Sequence, residues 1–379
     1  MSTAIDYKIG IIGGGLAGLA AAIELRRKGH SVVLFEKKTY PFHKVCGEYL
    51  SMESWNYLKF LGLDLERYEL PKINRLTIST PSGTQLNKQL EKGGFGISRY
   101  LLDHLLFQVA KKEGVEIFEQ TEIVKQEWQN DHHLLHSKDQ TYKTQLLLGA
   151  FGKRSKMDIA LNRNYLQSKS KNEQNYIGIK YHLKANLDED QIGLHLFEGG
   201  YCGISKVEGE NRYCLCYLTS DRHLKTEGSI EAMEKNILQK NPFLKQYLQL
   251  EKFIDPPLSI AQINFKNKSL IEDHLFMLGD AAGMISPLSG NGMSMALHAA
   301  HQFSILADEY LKGSISRKML EVNYKKWWKS QFQLQLKAGK LLQHLFFRPS
   351  LIQPILKFLN RSDYFSRLII RQTHGKDIL

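Results

Sequence analysis

The apolar residues near the start of the chain change their spacing twice within thirty residues. Residues 9–12 form a short continuous apolar run, residues 16–25 place small and apolar side chains at helical spacing, and residues 32–35 form a second apolar run. Short runs next to glycines are typical of buried strands, whereas the middle spacing is typical of a helix. The stretch 8–37 therefore predicts a strand, a tight turn, a helix and a second strand.

Three glycines occupy the turn between the first strand and the helix, at Gly13, Gly15 and Gly18. Their G-x-G-x-x-G spacing permits a tight turn, lets the backbone approach a pyrophosphate and lets the helix pack closely on the sheet. The free N–H groups at the helix N-terminus would then face the phosphates. Glu36 ends the second strand 18 residues after Gly18, where a carboxylate would accept hydrogen bonds from an unphosphorylated ribose. Together these residues predict a dinucleotide site.

The rest of the hydrophobic pattern divides the chain into three kinds of segment. Strand and helix patterns alternate up to about residue 152, as a parallel-sheet nucleotide-binding domain requires. Short alternating strands dominate residues 176–265, which predicts a mostly antiparallel sheet that walls a pocket for an organic substrate. Residues 275–311 return to the first pattern, and residues 314–379 predict basic helices with apolar residues at helical spacing.

We therefore predict an α/β fold, α+β overall, with a Rossmann-like domain, an inserted antiparallel substrate domain and a helical C-terminal segment. The predicted bounds are 1–74, 92–155 and 268–312 for the discontinuous first domain, 75–91 and 156–267 for the second, and 313–379 for the helical segment.

Two further loops carry candidate chemistry. The loop after Glu36 contains Lys44, which would reach a phosphate or a substrate anion, followed by Cys46 and Glu48, for which we weigh assistance in proton transfer against structural packing. The later loop places Asp280 at the C-terminal end of a buried strand, where ligands bind in a doubly wound sheet. It ends at a helix start near Gly292, which would suit a delocalised anion such as a reduced flavin ring.

The composition adds a strongly basic balance to this fold. The 379 residues carry a formal charge of +12, which suggests a phosphorylated cofactor, an anionic membrane surface or an acidic carrier protein, although a solvated basic surface explains it equally well. We expect no nucleic-acid partner. The four cysteines have no metal-ligand spacing and no run of 18 apolar residues occurs, so we predict no metal site and no membrane span. We predict a cytoplasmic protein and leave open a peripheral position at the membrane.

Three separated segments together resemble the FAD-dependent family that includes p-hydroxybenzoate hydroxylase, geranylgeranyl reductases and flavin-dependent halogenases. They are GIIGGGLAGLAAAIEL with Glu36, SRYLLDHLL, and LGDAAGMISPLSGNGMSMAL. The resemblance covers about residues 5–310 and implies bound FAD, with NAD(P)H as a possible reductant. HKVCGEYLS is similar to the K-x-C-G-[GE] loop of the reductases.

The resemblance also implies where FAD contacts the chain. The pyrophosphate and adenosine ends would lie against Gly13, Gly15, Leu16, Ala17, Gly18, Glu36, Lys37, Lys44, Arg99 and Ile123. The ribityl chain and the isoalloxazine ring would lie against Asp280, Pro287, Gly290, Asn291, Gly292 and Met293.

Three functions remain open at the level of sequence. We favour a monooxygenase that uses C4a-hydroperoxyflavin to hydroxylate an aromatic or polyketide-like substrate. The alternatives are a reductase of carbon–carbon double bonds that resembles the geranylgeranyl reductases, and a non-catalytic escort protein on the same fold. Hydroxylases of the family carry Asp where this chain has Phe151, which makes the use of NAD(P)H an open question. The halogenase motif W-x-W-x-I-P is absent, so we expect no halogenation.

Overall fold

Two eight-stranded sheets and eleven α-helices form the framework of the chain in the computed structural model, which describes residues 5–153, 155–167, 175–284, 290–362 and 377–379. Sheet A consists of β1 (Ile5–Ile12), β2 (Val32–Phe35), β6 (Glu116–Phe118), β7 (Lys125–Gln129), β8 (His132–His136), β9 (Thr141–Gly149), β15 (Ile271–Glu272) and β16 (Leu275–Met277). Sheet B consists of β3 (Tyr49–Ser51), β4 (Lys72–Ser79), β5 (Gln85–Gly96), β10 (Tyr176–Lys184), β11 (Gln191–Phe197), β12 (Gly200–Lys206), β13 (Arg212–Ser220) and β14 (Leu258–Ile263).

Eleven α-helices of the described chain pack with these sheets. They are α1 (Leu16–Arg27), α2 (Trp55–Phe60), α3 (Arg99–Lys112), α4 (Lys156–Ala160), α5 (Asn164–Gln167), α6 (Asp221–Glu227), α7 (Ile230–Asn236), α8 (Pro242–Tyr247), α9 (Gly292–Leu311), α10 (Arg317–Phe346) and α11 (Pro349–Arg361). Short 3-10 turns lie at Met52–Ser54, Leu65–Tyr68, Leu238–Lys240 and Gly279–Ala281.

Sheet A has the parallel core that the alternating pattern predicts. Its order is β15-β16-β9-β1-β2-β6, and the pairs among β16, β9, β1, β2 and β6 are all parallel, while β7 and β8 form an antiparallel extension on β9. Every residue of α1 from 16 to 25 is buried, because its alanines let the helix approach neighbouring elements closely. A large apolar core surrounds β1, α1 and α9.

Sheet B is mostly antiparallel, as predicted, with the order β14-β10-β13-β12-β11-β4-β5-β3 and one parallel pair between β11 and β4. One face packs on α7 and α8 through residues such as Met233 and Leu244. Leu86, Leu196 and other residues of the sheet pack on the end of α10 and on α11. A tight turn at 81–83 joins β4 and β5 into a hairpin, with Gly83 in the left-handed region that such a turn needs.

The structure therefore confirms the fold class, including the helical C-terminal segment over its described part. The two strands of the hairpin extend past the predicted domain bounds, since β4 begins at Lys72 and β5 ends at Gly96. The division into domains itself stays a prediction. Among the described residues, no helix combines the length and the apolar character that crossing a bilayer requires.

Candidate functional site

The glycine-rich turn between β1 and α1 is packed against its surroundings at two positions and open at a third. Gly13 has a φ of +106°, and a Cβ there would overlap the backbone of Ala150, while a Cβ on Gly18 would overlap the carbonyl oxygen of Gly13. Gly15 is different, because a Cβ there would meet only Lys44 Nζ at 3.6 Å and Arg99 Nη2 at 3.7 Å. A bare backbone that faces two cationic groups is the arrangement that a pyrophosphate requires.

Glu36 is held in place beside this turn by backbone donors. Its carboxylate accepts hydrogen bonds from the Gly14 N–H at 2.9 Å and from the Lys38 N–H at 3.1 Å, and the side chain is buried. Tyr40 donates a hydrogen bond to the Gly14 carbonyl, which fixes the turn from the other side. Gly14 and Tyr40 were missed in the sequence, since neither belongs to the three-glycine motif.

The two cations near Gly15 share one buried carboxylate. Arg99, at the start of α3, donates to both oxygens of Asp103 at 2.7 and 2.8 Å, and Lys44 Nζ lies 2.8 Å from Asp103 Oδ2. Burial alone would raise the pKa of Asp103, but the charges of Arg99 and Lys44 outweigh it and lower the pKa. Asp103 therefore stays ionised and orients both cations. Its position four residues after Arg99, one helical turn along, was a signal the sequence offered.

The segment after β16, near the edge of sheet A, lines the same cavity as the glycine-rich turn. Asp280 lies in the 3-10 turn Gly279–Ala281, and α9 begins at Gly292 with Asn291 at its N-cap. Two basic side chains hold this turn through its backbone carbonyls. The buried Arg163 donates to the Ala281 carbonyl at 2.9 Å, and the half-buried Lys268 donates to the Asp280 carbonyl at 2.9 Å. Neither cation was identified from the sequence, because both lie in loops without a motif.

These segments surround one cavity of about 590 Å³. The described predicted residues that line it are Gly13, Gly15, Leu16, Ala17, Glu36, Lys37, Lys44, Cys46, Arg99, Ile123, Asp280, Gly290, Asn291, Gly292 and Met293. Gly18 lies behind the wall, where it packs on Gly13, and Pro287 lies outside the described residues. The roles of the individual residues toward a cofactor stay predictions.

Sheet B contributes mainly apolar side chains to the lining of the cavity. Its lining residues include Leu76, Leu194, Tyr201, Leu218 and Ile260, and none of the described lining residues of this sheet is charged. The cavity therefore has an uncharged lining from sheet B and a cationic lining that includes Lys44 and Arg99. The cationic part suits phosphates, and the apolar part suits an organic substrate.

Glu48 lies behind the cavity wall in a buried ionic network. Its carboxylate accepts a hydrogen bond from the Arg99 N–H at 2.7 Å, pairs with Lys180 Nζ, and lies 2.6 Å from His182 Nε2. The side chains of Glu48 and Lys180 have no exposed surface. Burial would raise the pKa of Glu48, but the hydrogen bond to His182 and the charge of Lys180 lower it to about 2. This position favours a role in holding the loop over the alternative of proton transfer.

The backbone at Glu48 supports the same interpretation. Its φ of +56° lies in the left-handed region, which costs a residue with a side chain about 1–2 kcal/mol. The network around the carboxylate offsets this strain.

A histidine completes a cluster with this network at the cavity. His43, Glu48 and His182 offer one ligand atom each within 4.8 Å, and the His43 Nδ1 atom is buried without a hydrogen-bond partner. Burial and the nearby Lys180 charge lower the pKa of His43 to about 4, so the imidazole is neutral at pH 7. The Lys180 ammonium already neutralises the Glu48 carboxylate and would repel a metal cation. This pairing disfavours metal binding by the cluster, and the absence of a metal site stays a prediction.

Cys46 lies on the cavity side of the same loop. Its Sγ is 3.7 Å from Met293 Sδ in the first turn of α9, and its carbonyl accepts a hydrogen bond from Cys214 Sγ at 3.3 Å. The thiol is therefore near the end of the cavity where the predicted isoalloxazine contacts begin.

Comparison with known proteins identifies the class to which this site belongs. The FAD binding domain family matches residues 6–326, and the chain belongs to that family. FAD is therefore its cofactor, and the open Gly15 backbone, the buried Glu36 carboxylate and the Arg99–Lys44 pair fit the group. The chain is thus a member of the FAD-dependent oxidoreductase superfamily, as the three sequence segments imply.

Individual relatives differ in what their names describe. The chain is similar to conditioned medium factor receptor 1 of Dictyostelium discoideum, with 24% identity over 86% of this chain and 68% of the relative. It is 22% identical to digeranylgeranylglycerophospholipid reductase 1 of Methanococcoides burtonii, over 90% and 84% of the two chains. It is 25% identical to kynurenine 3-monooxygenase of Flavobacterium psychrophilum, over 76% and 70%. The fold matches a flavin-dependent brominase with a TM-score of 0.79 and 18% identity, over 99% and 94%.

Proposed function

We propose that the chain is an FAD-dependent monooxygenase that hydroxylates an apolar aromatic or polyketide-like substrate. The observation that carries this proposal is the uncharged, apolar wall that sheet B contributes to the cavity. Bound FAD would supply the electrons from NAD(P)H and the activation of O2. In the overall reaction, substrate, O2, NAD(P)H and a proton give hydroxylated substrate, water and NAD(P)+.

The residues of the chain would contribute binding and exclusion of water. Transfer of oxygen to an electron-rich ring needs no ionised protein group beside the ring, and a dry pocket prevents hydrolysis of reactive intermediates. Leu194 and Leu218 would position the ring, while Arg99, Lys44 and Asp103 would fix the phosphate end of FAD. The relative named kynurenine 3-monooxygenase is consistent with this reaction.

A reductase of carbon–carbon double bonds is the second candidate, and the position of Cys46 favours it. Saturation of a double bond adds two hydrogens, one of which must arrive as a proton, and the Cys46 thiol is at the cavity beside Met293. The relative named digeranylgeranylglycerophospholipid reductase is consistent with this alternative.

Product mass separates the two reactions. The FAD-loaded protein is given NADH or NADPH, with 4-octylphenol as an aromatic probe and geranylgeraniol as an unsaturated probe. Monooxygenation adds one oxygen atom, which becomes labelled under 18O2, whereas reduction adds two hydrogens. Reduction of geranylgeraniol without oxygen incorporation into either probe would replace the first proposal with the second. A preparation that contains no flavin would instead favour the escort protein.

Variants connect each outcome to the site. Leu194→Asn places a polar group in the apolar wall and should raise KM for the octylphenol probe at least fivefold, while the matched β8 variant Leu134→Asn should not. Cys46→Ala should abolish reduction but leave oxygenation within about threefold, because only reduction draws a proton from the thiol.

A further inference from the structure

The C-terminal helices carry most of the net charge of the chain. Residues 322–361 contain eight lysines and arginines and no aspartate or glutamate, against a formal charge of +12 for all 379 residues. Apart from Phe347 and Arg348, which lie between the two helices, these forty residues belong to α10 and α11. Charge of one sign at this density attracts an anionic partner.

The same helices expose leucines between their basic residues. On α10, Leu334 is 78% exposed and Leu341 is 63% exposed, and the seven-residue spacing places both on one face, next to Lys337. On α11, Leu351 and Ile355 are 46% and 36% exposed at a four-residue spacing. Exposure of apolar side chains to water is unfavourable, and their repetition along one segment is typical of a surface that binds a protein or a membrane.

The inner face of α11 is already packed against the rest of the protein. Ile352, Leu356 and Leu359 are buried against sheet B, so the exposed residues form a second apolar face rather than an exposed core. The buried group also includes Tyr201, Leu218 and Ile263, which line the apolar part of the cavity. The basic helices therefore lie directly behind the wall that we assign to the substrate.

We propose that α10 beyond Lys329, together with α11, docks on an anionic lipid bilayer. Basic side chains attract anionic headgroups, and leucines beside them insert at the boundary of the acyl chains. An acidic carrier protein would pair with the basic residues alone. A bilayer would also accommodate the exposed leucines, which insert among its acyl chains, so we favour the bilayer. Binding to lipid does not depend on the reaction, so it is testable apart from the proposed function.

Vesicle sedimentation of the full-length, FAD-loaded chain tests the proposal. The chain should bind vesicles of equal phosphatidylglycerol and phosphatidylcholine at least tenfold more tightly than pure phosphatidylcholine, and binding should weaken as salt rises. Lys337→Gln with Lys357→Gln should weaken it about 25-fold, since each surface charge contributes about fivefold. The control pair Lys112→Gln with Lys235→Gln, on exposed positions of α3 and α7, should change it less than threefold.

The leucine face is tested separately. Leu334→Ser with Leu341→Ser should weaken vesicle binding at least tenfold, whereas Ile159→Ser, at a position 71% exposed on α4, should not. Circular dichroism checks that each variant is folded. Absence of binding at 1 mM lipid, or equal binding to both vesicles, would overturn the proposal. Binding of an acidic acyl carrier protein that responds to the lysine pair but not to the leucine pair would assign the surface to a protein partner instead.

Discussion

The buried pair of Glu48 and Lys180 gives the sharpest test of how the loop at the cavity is held. In Lys180→Met, the methylene stem is kept and the ammonium is lost, so the Glu48 carboxylate stays buried with only His182 and the Arg99 N–H as partners. Removing one partner of a buried ion pair costs about 3–5 kcal/mol. We expect the free energy of unfolding to fall by about 3 kcal/mol, because two of the three partners remain.

A double-mutant cycle separates the pair from its surroundings. Glu48→Gln alone leaves the Lys180 ammonium buried without its counter-charge, and should destabilise the chain by a similar amount. The double variant removes both charges, so its loss should be at least about 2 kcal/mol smaller than the sum of the two single losses. Urea unfolding at pH 7, followed by tryptophan fluorescence and far-UV circular dichroism, measures all four proteins.

The pH dependence of the free energy of unfolding gives a second test of the Glu48 carboxylate. The folded pKa of Glu48, about 2, lies below the ordinary 4.5, so ionised Glu48 stabilises the fold above about pH 4.5 and this contribution is lost as the pH falls toward 2. The shift corresponds to about 3 kcal/mol. The stability difference between the wild type and Glu48→Gln should therefore shrink between pH 5 and pH 2. A loss below 1 kcal/mol in Lys180→Met, additive single losses, or a difference that stays constant with pH would refute the reasoning.

Three further predictions concern the cofactor site and its support. Gly18→Ala should yield protein without bound flavin, because the new Cβ overlaps the Gly13 carbonyl; the absorbance ratio at 450 and 280 nm measures this, and an unchanged ratio would contradict the packing. Glu36→Ala should raise the Kd for FAD about 10- to 100-fold through lost charge-assisted hydrogen bonds, measured by flavin fluorescence, whereas a change below threefold would remove Glu36 from the site. Arg163→Met should lower the free energy of unfolding by about 3 kcal/mol, since Asp158 and the Ala281 carbonyl lose a buried donor; urea unfolding would show a smaller loss if water replaces it.

The features of the site that can be predicted from the sequence are those that a short stretch of residues determines. The glycine turn, Glu36 and the strand before Asp280 are encoded within short windows, and the structure brings them to one cavity. The partners of Glu48 are a different case, because Lys180 and His182 lie 132 and 134 residues away on β10. Their alternation in β10 predicts a strand, but only the register of sheet B shows which loop they face. The loop sequence alone therefore leaves both proton transfer and structural packing open for Glu48.

The order of strands in sheet A has a consequence for how the chain is made. β1 pairs with β9, which ends at residue 149, and β9 pairs with β16, which ends at residue 277. All eight strands of sheet B are synthesised before β16. At ribosomal rates of about 5–20 residues per second, the 128 residues that separate the ends of β9 and β16 take roughly 6 to 26 seconds. During that interval the edge of β9 has no β16 beside it. Nascent chains stopped before Leu275 thus present an open strand edge to chaperones or to one another.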